Sequence, residues 1–503
     1  MSIPVIDIFA GPGGLGEGFS SIFDENEERV FKTVLSIEME KYAHQTLTLR
    51  SFYRQFKPSK VPEEYYEVLR DNLTDEELYE LYPEEAECAQ TEAKHAKLGY
   101  DDDSVKPEVV DEWIKEALKG EDYWILTGGP PCQAYSVVGR SRRQEKVLDA
   151  DKDDRVDLYK QYLRIIEAHR PAIFVMENVK GMLSARSKTY SIFEKIMEDL
   201  KKPGYKIFSL VREPRENLFG DPIFEPVDFI IRCEEYGIPQ TRHRVILLGI
   251  REDFFNEPPE ILEKLSSVSI SEVIDDLPPI RSGLSKQSDN WENWVKQVSE
   301  FALNGVMSSM DADVEHEIKK AITKLRKPQN GSGDEFVESR ANAKTVSYEP
   351  DWFHDDRIGG ASNHKSRGHM GSDLHRYLFV SAFGKVNNRS PKLEDFPQEL
   401  LPNHKNVQEA LKTKKFADRF RVQLRKKPSK TITSHISKDG HYYIHYDPKQ
   451  CRSLTVREAA RVQTFPDNYF FCGPRTAQYI QVGNAVPPLL AKNIAKIVFR
   501  LFN

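Results

Sequence analysis

The feature that most constrains the fold is the alternation of short apolar segments with helical patterns over the first 250 residues. Five apolar segments, rich in β-branched or aromatic residues, predict strands at Pro4–Phe9, Phe31–Ile37, Trp124–Thr127, Ile173–Met176 and Val245–Gly249. The segment 158–169, between the third and fourth of these strands, carries apolar residues at helical spacing. Strands that alternate with helices are typical of a parallel sheet with crossover helices. We therefore predict an α/β domain with a doubly wound, mostly parallel sheet.

The remainder of the chain departs from this alternation in two places. An acidic segment, about 57–121, is too long for an ordinary crossover, and we interpret it as a helical insertion with helices at 75–81 and 86–98. The region 252–445 is polar and interrupted by glycines, which predicts a second, smaller domain. Helical patterns return at 454–465 and 487–501. The predicted domains are thus 1–251 and 252–445, with 446–503 packing back to complete the first.

Composition limits the class of protein. The five cysteines are scattered and include no C-x-x-C pair, which favours a reduced cytoplasmic setting and gives no metal site. No leader pattern and no apolar stretch of membrane-spanning length is present, so we expect a soluble protein without a membrane partner.

The net charge of −7 hides opposite local charges. Residues 61–112 hold 18 acidic and 4 basic side chains, whereas 405–430 hold 10 basic and 2 acidic ones. The basic run is a candidate for contact with phosphates, although a solvated helix face explains such a run equally well when charge alone is considered.

A glycine-rich turn follows the first strand. The segment Asp7-Ile-Phe-Ala-Gly-Pro-Gly-Gly-Leu-Gly-Glu-Gly18 opens a helix, a setting in which glycines let a nucleoside-type ligand approach the backbone. Taken alone, the turn also fits a dinucleotide site or close packing. Glu38 ends the second strand, where an acidic side chain can accept hydrogen bonds from a ribose diol.

A cysteine follows the strand at 124–127. In Gly128-Gly-Pro-Pro-Cys-Gln-Ala-Tyr-Ser136 the thiol of Cys132 stands where a doubly wound sheet presents reactive groups, and two prolines fix the backbone before it. This arrangement suits a nucleophile, while an isolated cysteine is more often inert and buried.

The order of five motifs resembles the DNA (cytosine-5) methyltransferase family. The motifs are Phe9-Ala-Gly-x-Gly-Gly14, Pro131-Cys-Gln-x-x-Ser136, Glu177-Asn-Val179, Gln240-x-Arg-x-Arg244 and Gly483-Asn-x-Val486, with a large variable region before the last of them. The resemblance covers residues 1–250 and about 430–503. It implies a Rossmann-like fold dependent on S-adenosylmethionine, a DNA target-recognition domain in the variable region, and prokaryotic or phage origin.

The resemblance assigns catalytic roles to five residues. In the family a cysteine adds to C6 of cytosine, C5 takes the methyl group, and loss of the C5 proton releases the enzyme. Cys132 matches that nucleophile, with Gln133 beside it in the motif. Glu177 matches the glutamate that binds N3 and the amino group of the base. Arg242 and Arg244 match the arginines that hold O2, and their alternate positions on a strand predict that both lie on one face.

For the methyl donor, whose product is S-adenosylhomocysteine, the resemblance implies a larger set of contacts: Phe9, Gly11, Gly13, Gly14, Glu38, Met39, Pro131, Leu158, Asn484 and Val486. Two departures from the family pattern stand out. Met39 replaces the aromatic residue that often follows the ribose glutamate. The acid that contacts the adenine stays open among Asp71, Asp101–Asp103 and Asp111.

The expected substrate is double-stranded DNA with the target base flipped out, because a stacked base is beyond the reach of Cys132. The loop 137–154, with Arg140, Arg142 and Arg143, is expected to close near phosphates. A restriction endonuclease of the same specificity is an expected partner, and a monomer is expected on DNA. The alternatives are a tRNA cytosine-5 methyltransferase, a catalytically silent DNA-binding module and a dinucleotide-dependent oxidoreductase. The large variable region disfavours the tRNA methyltransferase, and the complete motif set disfavours the silent module. The late Gly483-Asn484 disfavours the oxidoreductase.

Overall fold

A computed structural model describes residues 2–130, 158–185, 191–216, 222–303, 310–339, 346–402, 407 and 418–502. Its main sheet contains eight strands: β1 Ile3–Ile8, β2 Phe31–Glu38, β3 Ala93–His95, β4 Ile125–Gly128, β5 Ile173–Val179, β6 Tyr205–Phe208, β7 Ile230–Arg232 and β8 His243–Arg251. The order is β3-β2-β1-β4-β5-β8-β6, with β7 also paired to β8. The first five strands in this order run parallel, and β8 is antiparallel to its neighbours. The predicted doubly wound, mostly parallel α/β fold is confirmed.

Helices lie on both sides of this sheet and throughout the rest of the chain: α1 Gly14–Ser20, α2 Lys41–Arg54, α3 Glu63–Leu69, α4 Asp75–Leu81, α5 Pro83–Glu92, α6 Pro107–Leu118, α7 Leu158–His169, α8 Ile192–Lys201, α9 Ser271–Ile274, α10 Trp291–Leu303, α11 Ala312–Thr323, α12 Pro350–Phe353, α13 Gly371–Asn387, α14 Val456–Val462, α15 Arg475–Asn484 and α16 Pro488–Arg500. Because helices cover both faces, the central strands are apolar on both faces, and β4 is buried along its whole length.

The acidic insertion differs from its prediction in one element. The helix predicted at 75–81 is α4, but the helix predicted at 86–98 ends at Glu92, and β3 follows it directly. Ala93–His95 pairs in parallel with Ser36–Glu38. Backbone pairing with the edge of β2 thus outweighs the helix propensity of an alanine-rich segment, as tertiary contacts often do.

The insertion also braces the variable region. Its helices bury an aromatic cluster that includes Phe52 and Tyr65. The hydroxyl of Tyr66 donates to Asp355 Oδ2 at 2.9 Å, and Ser362 Oγ donates to the carbonyl of Leu69 at 2.7 Å. The segment around 355–362 is therefore fixed to the insertion.

The described part of 252–445 shares one buried cluster with the sheet and the C-terminal helices. Trp294 and Tyr377 of this region belong to the same cluster as Ile246 on β8 and Leu490 on α16. The apolar core is continuous across the predicted boundaries, and the division at 251 and 445 stays a prediction. Among the described residues, no helix has the length and apolar character needed to cross a membrane.

Candidate active site

The turn after β1 is tightly curled. Phe9, Gly11 and Gly13 all have positive φ, at 55°, 58° and 86°. For Phe9 this conformation costs about 1–2 kcal/mol, and such strain concentrates at ligand sites. A side chain added at Gly11 would meet no atom within 4 Å, so the backbone there faces open space. The turn thus presents bare backbone to a ligand at the carboxyl end of β1.

Glu38 closes this turn from the end of β2. Its Oε2 accepts from the amide of Gly11 and its Oε1 from the amide of Glu40, both at 2.8 Å. Burial raises the pKa of the Glu38 carboxyl above its ordinary value. Each carboxylate oxygen has a second lone pair, so two further donors, such as a ribose diol, fit here. The next residue, Met39, is 56% exposed and offers an apolar surface beside the carboxylate.

The other two glycines of the turn have a packing role in the structure. A Cβ at Gly13 would lie 2.7 Å from Leu47 Cδ2, and one at Gly14 would lie 2.1 Å from the carbonyl oxygen of Val486. Gly14 therefore allows the C-terminal segment to lie directly on the first turn. Asn484, two residues before Val486, is exposed at the end of α15.

An ion pair stands at the carboxyl end of β5. Glu177 and Arg244 lie on the adjacent strands β5 and β8, and Arg244 Nε is 2.7 Å from Glu177 Oε1. Their side chains are 14% and 13% exposed, so the pair is shielded but open on one side. A Cβ at Gly129 would lie 3.0 Å from Glu177 Oε2. The backbone that leads from β4 into the cysteine motif therefore passes directly over the carboxylate.

Asn178 fastens that backbone. Its Nδ2 donates to the carbonyl of Pro130 at 3.2 Å, while its Oδ1 accepts from the amide of Val179 at 2.8 Å. Pro130 is the last described residue before position 158. Pro131, Cys132, Gln133 and the loop 137–154 lie outside the described residues.

Arg242 occupies a different environment from Arg244. It is buried, its Nη1 donates to the carbonyl of Ile432 at 2.7 Å, and its Nη2 donates to the carbonyl of Ala485 at 2.8 Å. Both nitrogens also reach the carbonyl of Gly483 at 3.4 Å. Burial, with Arg244 nearby, lowers the pKa of Arg242 to about 9. Arg242 precedes β8 and binds C-terminal carbonyls, whereas Arg244 on β8 pairs with Glu177. The two side chains thus have different partners, and their common face stays a prediction.

Gln240, which opens the same motif, has a role that was not predicted: its side chain connects distant segments of the chain. Its Nε2 donates to the carbonyl of Val462 at 3.1 Å, and its Oε1 accepts from the amide of Ile432 at 3.0 Å. Gln240 and Arg242 together tie the lead into β8 to segments near 432, 462 and 485. The signal in the sequence was that Gln240 opens a motif that is polar throughout, although it leads directly into the apolar strand β8.

Asp7 was also missed. It is buried within β1, its Oδ1 accepts from Thr127 Oγ1 at 3.0 Å, and its Oδ2 has no partner among the described residues. Burial raises the pKa of Asp7 to about 6. An acidic residue inside an apolar strand was the signal for such a perturbed group.

The remaining predicted residues are Leu158 and the acids that could contact the adenine. Leu158, its first residue, has Cδ2 3.9 Å from the Cβ position of Gly99. Near its last residue, Asp111 pairs with Arg164 and His169, each at 2.7 Å. Asp101 is engaged by Lys97 and Ser104. The acid that contacts an adenine therefore stays unassigned.

Residues 405–406 and 408–417 of the basic run 405–430 lie outside the described residues. In its described part, Arg421 pairs with Asp418 and Arg425 with Asp275. Lys427 donates to the carbonyl of Asn388 at 3.1 Å. Contact of this run with phosphates stays a prediction. Among the described residues, no group of three His, Cys, Asp or Glu side chains is placed to hold a metal ion.

The fold and site define an α/β protein with a glycine-rich turn at the carboxyl end of β1 and a glutamate–arginine pair on β5 and β8. The family model for C-5 cytosine-specific DNA methylase matches residues 103–500. Type II methyltransferase M.Bpa9945I of Bacillus paralicheniformis is 35% identical over 99% of both chains. DNA (cytosine-5-)-methyltransferase M.ApeKI of Aeropyrum pernix is 26% identical over 75% of this chain and 81% of its own.

A solved structure agrees on the fold. A candidate DNA modification methyltransferase encoded within an Escherichia coli prophage covers the whole of both chains with a TM-score of 0.52 at 17% identity. The chain belongs to the C-5 cytosine-specific DNA methylase family and is a DNA (cytosine-5-)-methyltransferase.

Proposed function

We propose that the chain transfers a methyl group from S-adenosylmethionine to C5 of a flipped-out cytosine in duplex DNA, through a covalent bond between Cys132 and C6. The observation that carries this proposal is the hydrogen bond from Asn178 to the carbonyl of Pro130, beside the Glu177–Arg244 pair. Cys132 follows Pro130 by two residues, so the covalent chain limits the separation of their Cα atoms to about 7.6 Å. The hydrogen bond to Pro130 supports the proposal, because the backbone that leads to the cysteine motif is fixed beside Glu177.

The proposed reaction has three steps: addition of the thiolate, methyl transfer and elimination. The Cys132 thiolate adds to C6, and the electrons of the C5–C6 double bond make C5 nucleophilic. C5 then forms a bond to the methyl carbon as the bond from that carbon to sulfur breaks. A base removes the C5 proton, the C5–C6 double bond re-forms, and the Cys132 thiolate leaves.

Glu177 and Arg244 prepare the base for this addition. Glu177 accepts hydrogen bonds from the exocyclic amino group and from a protonated N3, which stabilises the positive charge that makes C6 electrophilic. Arg244 donates to O2 and holds the Glu177 carboxylate in place. Arg242 acts through the C-terminal joint, where its hydrogen bonds lie, as a positioning residue.

The residues around the first turn fit the methyl donor, which supplies an electrophilic methyl group when bound and leaves as S-adenosylhomocysteine. Glu38 would bind the ribose, Phe9 and Gly11 the methionine moiety, and Met39 with Leu158 the adenine. Gly13, Gly14, Pro131, Asn484 and Val486 would complete the pocket. The open space at Gly11 and the Glu38 carboxylate bonded to the Gly11 amide support this fit.

The chain is also proposed to act in a restriction-modification system, since M.Bpa9945I is described as a type II methyltransferase. A cognate endonuclease that cuts the same sequence is the proposed partner, and a monomer is the proposed form on DNA. Bisulfite sequencing of host DNA after expression would identify the target word.

The decisive experiment traps the covalent intermediate. DNA that carries 5-fluorocytosine at the target, incubated with S-adenosylmethionine, should give a denaturation-resistant protein–DNA adduct, because fluorine cannot leave C5 as a proton does. Cys132→Ser should abolish both the adduct and methyl transfer, while Cys88→Ser, at an exposed cysteine, should change neither. An adduct in Cys132→Ser protein would refute the nucleophile, and label transfer to tRNA without transfer to DNA would refute the substrate.

A further inference from the structure

Two arginines join the acidic insertion to the variable region by reaching in opposite directions. Arg70, at the end of α3, donates through Nε to the carbonyl of Ile358 at 3.2 Å and through Nη2 to the carbonyl of Arg357. Arg357 in turn donates through Nη1 to the carbonyl of Val61 at 2.7 Å. The guanidinium groups of Arg70 and Arg357 also pair with Glu63, at 2.7 and 3.1 Å. We call the side chains of Arg70, Arg357 and Glu63 the arginine clasp.

A buried tyrosine connects the clasp to the C-terminal part of the chain. The guanidinium carbon of Arg357 lies 4.1 Å from the centre of the Tyr66 ring, and the Tyr66 hydroxyl donates to Asp355 Oδ2 at 2.9 Å. The same carboxylate oxygen accepts from Asn468 Nδ2 at 2.8 Å. Beside them, the buried side chain of Ile358 packs in the apolar cluster of the insertion. Movement of the variable region away from the insertion would break these contacts together.

The charge of the insertion makes it unsuited to contact DNA directly. Residues 71–92, which contain α4 and α5, hold nine acidic side chains and no basic one. DNA carries one negative charge per about 1.7 Å of helix axis, so such a surface repels it. An effect of the insertion on DNA binding must therefore be transmitted through the variable region, and the clasp is a direct connection between the two.

We propose that the arginine clasp holds the variable region in the orientation that accepts duplex DNA, which makes Arg70 and Arg357 positioning residues for methylation. This inference rests on the proposed methylation of duplex DNA. Among the described residues, the hydrogen bonds and ion pairs of the two arginines involve neither the glycine turn nor the Glu177–Arg244 pair. When only a fraction of the molecules has the competent orientation, the apparent Kd rises by the inverse of that fraction. The clasp therefore acts on the affinity for DNA and not on the chemical step.

Binding and turnover by the double variant Arg70→Met and Arg357→Met test the clasp, because methionine keeps an apolar stem and removes every donor. A fluorescent duplex that contains the target word gives the Kd for DNA by anisotropy, and labelled S-adenosylmethionine gives kcat and the KM for DNA. A fall of the competent fraction to about one tenth should raise the Kd and the KM for DNA about 10-fold. The kcat at saturating DNA and the calorimetric Kd for S-adenosylhomocysteine should stay within about 2-fold.

Arg164→Met is the matched control. The side chain of Arg164 is 21% exposed, against 20% for Arg70, and it pairs with Asp111 at 2.7 Å, which joins α7 to α6. Its replacement should leave the Kd for DNA unchanged. Tyr66→Phe removes only the hydroxyl group that binds Asp355, so it tests the same joint without a large change in packing. It should raise the Kd for DNA about 2- to 5-fold.

The outcomes separate positioning from a general structural role. An unchanged Kd for DNA in the double variant and in Tyr66→Phe, with a parent chain that methylates duplex DNA, would overturn the inference alone. Equal losses in kcat, in binding of S-adenosylhomocysteine and in binding of DNA would also overturn it, because they would show that the clasp only stabilises the fold. Failure of the parent chain to methylate duplex DNA would instead overturn the proposed substrate, and the inference with it.

Discussion

The buried carboxyl of Asp7 should make the unfolding free energy fall as the pH rises, and the substitution Asp7→Asn should remove this effect. Burial raises its pKa from 3.8 to about 6, against the smaller opposing effect of the hydrogen bond from Thr127. The folded state therefore binds the Asp7 proton more tightly than the unfolded state does. Its stabilising effect is fully present below pH 3.8, and it is lost as the pH rises through about 6.

The magnitude follows from the shift. At 1.36 kcal/mol per pKa unit, a rise from 3.8 to about 6 corresponds to a loss of about 3 kcal/mol of unfolding free energy between acidic and neutral pH. Asp7→Asn cannot ionise and should escape this loss. The unfolding free energy of the variant minus that of the parent chain should therefore increase with pH, by up to about 3 kcal/mol, and level off above pH 7.

Urea unfolding followed by tryptophan fluorescence and circular dichroism, at half-unit steps from pH 4.5 to 8, measures this difference. Subtracting the parent curve cancels the other titrating groups, and Asp102→Asn at an exposed aspartate serves as the control. Parallel curves for parent and variant would show that Asp7 has the same pKa in both states. A difference that falls with pH would show that the carboxylate form is the stabilised one.

Three further substitutions test separate parts of the site. Glu177→Gln should lower kcat at least about 100-fold while the Kd for S-adenosylhomocysteine, measured by calorimetry, stays unchanged, since the carboxylate pairs with Arg244 and is proposed to bind the base. Gly14→Ala should lower the unfolding free energy by about 1–3 kcal/mol in urea titrations, because its Cβ would lie 2.1 Å from the carbonyl oxygen of Val486; parent-like stability would contradict this. Arg242→Met should destabilise the chain by about 3 kcal/mol and increase hydrogen exchange at 483–486, whereas unchanged exchange there would refute the joint.

The part of the fold that local pattern determines was predictable from sequence. The helix expected at 158–169 is α7 with the same bounds, and the strands around Pro4, Phe31, Trp124, Ile173 and Val245 are all present within a few residues. Each is a predominantly apolar segment or a clear helical stripe, so its structure depends little on distant partners. β3, β6 and β7 were not predicted, because they are short and exist through pairing with β2 and β8.

In the candidate site, too, some features were predictable from local pattern and others were not. Glu38 and Glu177 stand at strand ends that the pattern located, and both lie where a ligand of such a sheet is expected. The difference between Arg242 and Arg244 was not predictable from their alternate spacing. The environment of Arg242 depends on three backbone carbonyls, which belong to residues 190 to 243 positions further along the chain.

One C-terminal segment connects the two halves of the site. The carbonyl of Val486 lies on Gly14 in the turn that would bind the methyl donor, and the carbonyls of Gly483 and Ala485 bind Arg242, two residues before Arg244. Any shift of 483–486 therefore moves the turn after β1 and the residues that lead into β8 together. Because these contacts are made by backbone atoms, side-chain changes cannot easily replace them, and only glycine at position 14 leaves room for them. In the proposed reaction the methyl donor and the cytosine must meet within bonding distance, and this shared segment gives a physical reason for a motif at the end of the chain to accompany motifs near its start.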